Sequence, residues 1–161
     1  VKSLPMIMIR FFFFLLLFSP GLLIPEISSA QSLKPVQWTF TSKKITDQLY
    51  EVRMDAKVNG NWHIYSQDGG EGPFSTTFAF TQNPLLNIDG KVQELGTLKK
   101  VFEEAFGSEV RYYEKAVSFV QRVKLRGKAK TNLAGKVEYM VCNDKQCLPP
   151  AEVNFSVNVG G

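Results

Sequence analysis

The chain has 161 residues, 44% of them hydrophobic, and a formal net charge of +4. That length supports one domain with a real core. So small and dispersed a charge excludes a basic nucleic-acid-binding surface, and Lys43-Lys44, Lys99-Lys100 and the 122–130 region read as solvated turns.

Residues 1–30 have the order of a secretory signal peptide. Lys2 and Arg10 supply positive charge, Phe11 to Phe18 is almost purely apolar, and Ser28-Ser29-Ala30 offers the small residues a signal peptidase requires. A start at Met8 would set Arg10 directly before the apolar run. The wider stretch from Phe11 to Ile24 is interrupted by Pro20 and Gly21 and, at 14 residues, is too short for the roughly 20 residues of a membrane-spanning helix. Residues 31–161 are then one exported domain, with its cysteines in an oxidising compartment.

From Gln31 onward, short alternating runs are separated by turn residues. Val36, Trp38 and Phe40 alternate with polar neighbours, as do Tyr50, Val52, Met54, Ala56 and Val58. This is the period of strands with one buried face. Asn59-Gly60 reads as a hairpin turn, with Trp62 to Tyr65 as the return strand. Asp68 to Pro73 is a loop by composition, and Phe74, Thr76, Phe78 and Phe80 form the next buried face. Asn83-Pro84 and Asp89-Gly90 read as turns flanking a short run through Ile88.

The spacing of Leu98, Val101, Phe102 and Ala105 predicts a short helical turn, ended by Gly107. Val110 to Leu125 returns to strand character, with Val117, Phe119, Val123 and Leu125 in one parity and Val120 and Gln121 as defects. Gly127 to Gly135 reads as a basic, polar turn region. Val137, Tyr139 and Val141 alternate up to Cys142, and Val153, Phe155, Val157 and Val159 form the final strand. Eight or nine short strands with frequent turns predict an all-β, immunoglobulin-like antiparallel β-sandwich with one short helical turn.

The only two cysteines, Cys142 and Cys147, flank Asn143-Asp144-Lys145-Gln146 and precede Leu148-Pro149-Pro150. Three readings are open. A disulfide here would be a weak staple, about 2 kcal/mol for so short a loop against about 5 for a loop of about 100 residues. A closed zinc site wants four ligands, and the cysteines with the single His63 supply at most three. Thiol–disulfide exchange needs two cysteines close enough to bond and open to attack, which a polar turn provides. Lys145 would favour a thiolate and Asp144 oppose it, so the attacking cysteine is left open.

The run from Tyr139 to Glu152 resembles the active-site segment of the N-terminal periplasmic domain of the thiol:disulfide interchange protein DsbD: a Tyr, a short gap, Cys, a polar loop, Cys, an apolar residue, then Pro-Pro. The resemblance extends over about 35–159. Gly60-Asn61-Trp62-His63-Ile64-Tyr65 is similar to that family's Gly-aromatic-aromatic-Leu-Tyr strand, and Glu103-Glu104-Ala105-Phe106-Gly107 to its acidic, aromatic cap loop. Here four residues separate the cysteines where the best-known members have five, and Ala105 stands where an aromatic is expected.

The resemblance implies an immunoglobulin-like fold and a periplasmic thiol–disulfide oxidoreductase with no cofactor. Cys142 and Cys147 would be its redox couple, taking electrons from a membrane donor on another chain and passing them to thioredoxin-like proteins. Glu103, Glu104 and Phe106 would form the cap, His63 and Tyr65 would line the site, and the domain would act alone as a monomer. The competing expectation is a non-enzymatic immunoglobulin-like binding module whose disulfide only clips a loop.

Overall fold

The computed structural model describes residues 33–72 and 74–160; the leader read over 1–30 lies outside them. The described residues form eleven strands and no helix. These are β1 (Val36–Lys44), β2 (Leu49–Val58), β3 (His63–Gly70), β4 (Thr77–Phe80), β5 (Leu86–Gly96), β6 (Lys99–Glu103), β7 (Ser108–Glu114), β8 (Ala116–Leu125), β9 (Thr131–Tyr139), β10 (Val141–Cys142) and β11 (Ala151–Val159). They make three antiparallel sheets in the orders β1-β2-β8-β5, β10-β3-β7-β6 and β11-β9-β4.

The architecture is the expected immunoglobulin-like sandwich, and the period-2 patterns explain it. Along β2, Tyr50, Val52, Met54, Ala56 and Val58 are all buried, while their neighbours face outward. Val117, Phe119, Val123 and Leu125 of β8 do the same, as do Phe155, Val157 and Val159 of β11. These inner faces meet in one core with Ile64, Tyr113 and Val141 from the β10-β3-β7-β6 sheet and with Leu133 and Val137 of β9. Each fully buried large side chain there contributes about 1.5–3 kcal/mol of transfer free energy. Trp38 packs beside Phe40, Phe78, Phe119 and Tyr139.

A polar cluster ties the first two sheets together. The Glu94 carboxylate on β5 accepts from Ser66 Oγ at 2.7 Å, Gln67 N at 2.7 Å, Gln67 Nε2 at 3.1 Å and Tyr113 Oη at 2.6 Å. It thereby fixes β3 and β7, the strands beneath the cysteine pair, against β5. Burial and the Glu94 carboxylate both hold the Tyr113 hydroxyl protonated, pushing its pKa well above the ordinary tyrosine value.

Several local expectations are corrected. Asn59-Gly60 is not a hairpin: β2 pairs with β1 and β8, and β3 pairs with β7 and β10. The turn, with Gly60 at φ 65°, carries the chain from one sheet to the other, and Asn59 N bonds Pro35 O at 2.8 Å. Asp89-Gly90 lies inside β5 as a bulge between Asp89 and Gln93, with Gly90 at φ 75°. Gln121, a defect in the alternation of β8, is buried because its amide donates to the Asp89, Gly90 and Arg122 carbonyls. The Val110 to Leu125 run is broken by Lys115, a non-glycine residue at φ 64°, where the chain leaves β7 for β8 in the other sheet. Phe74 is exposed, and β9 already begins at Thr131 within the expected turn region.

The expected helical turn is likewise replaced. Val101 and Phe102 lie in the strand β6, which pairs with β7 from Lys99↔Tyr112 to Glu103↔Ser108. Only the tip, where Gly107 N bonds Glu103 O at 2.9 Å, coils through a turn. The edge position of β6 explains the misreading. Neither of its faces is covered, so its apolar residues carry no strand periodicity.

Candidate functional site

Tyr139 and Val141 point into the main core and bring the chain to β10, which pairs with the start of β3 as Val141↔Ile64 and Cys142↔His63. Side chains directly opposed across an antiparallel pair lie on the same face, with Cβ atoms about 4.5–5.5 Å apart. Val141 and Ile64 belong to the main core; Cys142, His63 and Tyr65 belong to the opposite face. There Cys142 packs with Tyr65 and Val110, and with Tyr112 and Met140 at the edge of the cluster.

Cys142 and Cys147 form a disulfide, with Cα atoms 4.0 Å apart. Its loop is closed by short-range bonds. Leu148 N donates to Val141 O at 2.9 Å and Asn143 N to Gln146 O at 2.9 Å. The Asn143 side-chain oxygen accepts from Lys145 N and Gln146 N, each at 2.9 Å, as Asn does when it builds a tight turn. Leu148 packs against the main core, and Pro149-Pro150 leads into β11. The two sulfurs therefore stand in different surroundings. Cys142 is 3% exposed, whereas Cys147 lies at the surface.

An aromatic group surrounds the buried half. His63 Nε2 and Tyr65 Oη are 3.1 Å apart. The His63 ring stacks on Tyr112 with centroids 4.1 Å apart, and Tyr65 meets both rings edge-on. Burial lowers the His63 pKa; the nearby Glu114 and Asp144 carboxylates act against that, and Lys99 adds to it. Burial, then the charges of Glu103 and Tyr112, raises the Tyr65 pKa well above its ordinary value. Burial and Glu114 first, with Glu103 and Asp144 adding, raise that of Tyr112 against the opposing Lys99. The site holds neutral rings with carboxylates at its margin. Among the described residues no group of three or more His, Cys, Asp and Glu is arranged to hold a metal ion.

The structure thus brings Cys142, Cys147, His63 and Tyr65 together, and the Glu103 charge is among the causes that raise the Tyr65 pKa. Glu104 and Phe106 stand exposed at the β6–β7 tip, Phe106 at 39%. Among the described residues no hydrogen bond or aromatic contact joins them to the cysteine loop. Sequence reasoning missed Tyr112 and Glu114. Their signal was the shared parity of Val110, Tyr112 and Glu114, which assigns all three to one face of a strand.

Comparison with known proteins bears on this arrangement. A family model described as "Thiol:disulfide interchange protein DsbD, N-terminal" matches residues 29–158. No curated protein matches the sequence. Among solved structures, the chain is similar to the N-terminal periplasmic domain of ScsB from Proteus mirabilis, with 18% identity and a TM-score of 0.50 over 77% of this chain. It spans 44% of that chain, less than half its length. It is also similar to the Neisseria meningitidis DsbD N-terminal domain in the reduced form, with 15% identity and a TM-score of 0.48 over 77% of this chain and 86% of that one.

Proposed function

This chain belongs to the family of N-terminal domains of the thiol:disulfide interchange protein DsbD, and we propose that it is a periplasmic thiol–disulfide oxidoreductase working through Cys142 and Cys147. In this reading it carries electrons between a membrane reductase on another chain and thioredoxin-like proteins. One observation carries it: the disulfide has a surface half and a buried half, in a loop fixed by its own hydrogen bonds. A bond kept only for stability gains nothing from an accessible sulfur, and a ring this short restricts the unfolded chain little.

The chemistry follows from the asymmetry. A donor thiolate attacks Cys147 Sγ, the Cys142–Cys147 bond breaks, and Cys142 leaves as a thiolate that takes up a proton. The donor's second thiolate then displaces Cys147, so the donor dithiol is oxidised by two electrons and the pair is reduced. Delivery to a recipient disulfide runs the same steps backwards, with Cys147 as the attacking thiolate. His63 and Tyr65 wall the buried sulfur. In this reading the β6–β7 tip, with Glu103, Glu104 and Phe106, is the cap that a docking partner displaces; the Glu103 charge, which helps raise the Tyr65 pKa, supports it. Residues 1–30 serve as the export signal, and the family match begins where their apolar run has ended.

Single-cysteine variants test the reading. Cys142→Ser retains the surface thiol without its resolving partner. It is expected to accumulate reducible mixed disulfides with periplasmic proteins on non-reducing gels. Cys147→Ser, with only the buried thiol, is expected to form few or none. Equal trapping by the two variants, or none by either, would contradict it.

A further inference from the structure

Exchange through this pair has one step that needs an agent. After Cys147 has formed a mixed disulfide, Cys142 must attack it, and Cys142 starts as a thiol buried among Tyr65, Val110, Tyr112 and Met140. Apolar burial opposes formation of the thiolate that attacks. Resting on the exchange reading, we propose that His63 is the proton acceptor that activates Cys142 for this resolving step. The residues are directly opposed in the β3–β10 register, so their side chains share one face of the sheet. His63 is also the only histidine in the chain.

The surrounding groups set the ring for this role. His63 Nε2 and Tyr65 Oη are 3.1 Å apart, and the proposed role requires the tautomer in which Nε2–H donates to the hydroxyl, which leaves Nδ1 to accept the thiol proton. Stacking on Tyr112 fixes the plane of the ring. The charged groups facing it are Glu114, opposite it on β7, Asp144 in the cysteine loop, and Lys99 on β6; Lys99 is itself paired to Glu114 at 2.7 Å. Tyr65 and Tyr112 face it as neutral hydroxyls, with Glu103 beside them. Burial keeps the imidazole neutral, able to accept a proton, and the two carboxylates steady the imidazolium once it forms.

The step balances. The Cys142 thiol gives its proton to Nδ1, and its sulfur bonds to Cys147 Sγ. The bond from Cys147 to the partner's sulfur breaks, and the partner leaves as a thiolate. The pair has then lost two electrons and the original partner disulfide has gained them. The proton passes from the imidazolium to solvent.

The probe is 5,5′-dithiobis(2-nitrobenzoate), mixed with the reduced domain in a stopped-flow instrument. The first release of thionitrobenzoate reports attack by Cys147, and the second reports resolution by Cys142. In the parent domain the second-phase rate is expected to rise from pH 5 through the histidine range and then level off. His63→Phe, which keeps a ring over Tyr112, is expected to slow the second phase relative to the first by about 10²-fold at pH 7. In that variant the rate should climb about tenfold per pH unit through pH 8, as an unassisted thiol does.

A second phase in a folded His63→Phe domain that keeps the parent rate and profile would overturn the proposal. So would a parent profile that climbs through pH 8 without levelling, which decides the matter even if the variant does not fold. Absence of the first phase at every pH would overturn the exchange reading together with this step. An intact first phase with an unaltered second would overturn the role of His63 alone.

Discussion

Glu94→Ala is expected to destabilise the domain by about 3 kcal/mol, the cost of stranding groups that one carboxylate now satisfies. Glu94 accepts four hydrogen bonds, two of them from the buried hydroxyls of Ser66 and Tyr113. A bond to a charged acceptor contributes about 1.5–3 kcal/mol net, and a buried donor left unpaired costs about 1–3 kcal/mol. These terms share one acceptor and do not add, so the estimate stays well below their sum. The truncation opens a gap between β5 and the β3–β7 pair, too exposed on the Glu94 side to stay dry, and entering water recovers part of the loss. Chemical denaturation should show a lower midpoint with an unchanged slope, and the melting temperature should fall by on the order of 10 °C. Glu94→Gln keeps acceptor capacity and should lose less. A loss under about 1 kcal/mol for the alanine variant would mean that the cluster does not hold the two sheets together.

Phe119→Ala is expected to cost about 3–5 kcal/mol, the range for removing a fully buried aromatic side chain. Phe119 is fully buried on β8, with its ring 5.0 Å from that of Phe78 and 5.9 Å from that of Trp38. It stands where strands from two sheets face each other, so the neighbours that would fill its space are held by their own ladders. Phe119→Leu retains much of the volume and should cost markedly less. Equilibrium unfolding in urea measures both. Equal losses for Ala and Leu would show that shape, not lost volume, governs this position.

How far the sequence discloses this molecule depends on how local each determinant is. The alternation in β2, β8 and β11 is local, because one face of each strand meets the core and the other meets water. The cysteine loop is local too: Asn143, the two bonds to its side-chain oxygen and the following prolines are contiguous. Asn59-Gly60 gives its turn correctly but not its partner, because a turn residue sets φ and says nothing of which strand the chain joins next. Asp89-Gly90 looks like a turn because a bulge uses the same positive φ, and only Gln121, 31 residues away from Gly90, distinguishes the two. The β6 edge strand defeats periodicity altogether, since Phe102 is 65% exposed and Val101 40%. Tyr112 and Glu114 enter the site through the pairing of β7 with β3, a contact that no short window of sequence contains.

Everything proposed for this domain depends on the Cys142–Cys147 disulfide being a working redox couple and not a clip. The equilibrium reduction potential of the purified domain, measured against glutathione or dithiothreitol buffers, tests it most directly. A working couple is expected in the range of known carriers, about −120 to −270 mV. A value below about −300 mV, where structural disulfides lie, would contradict it.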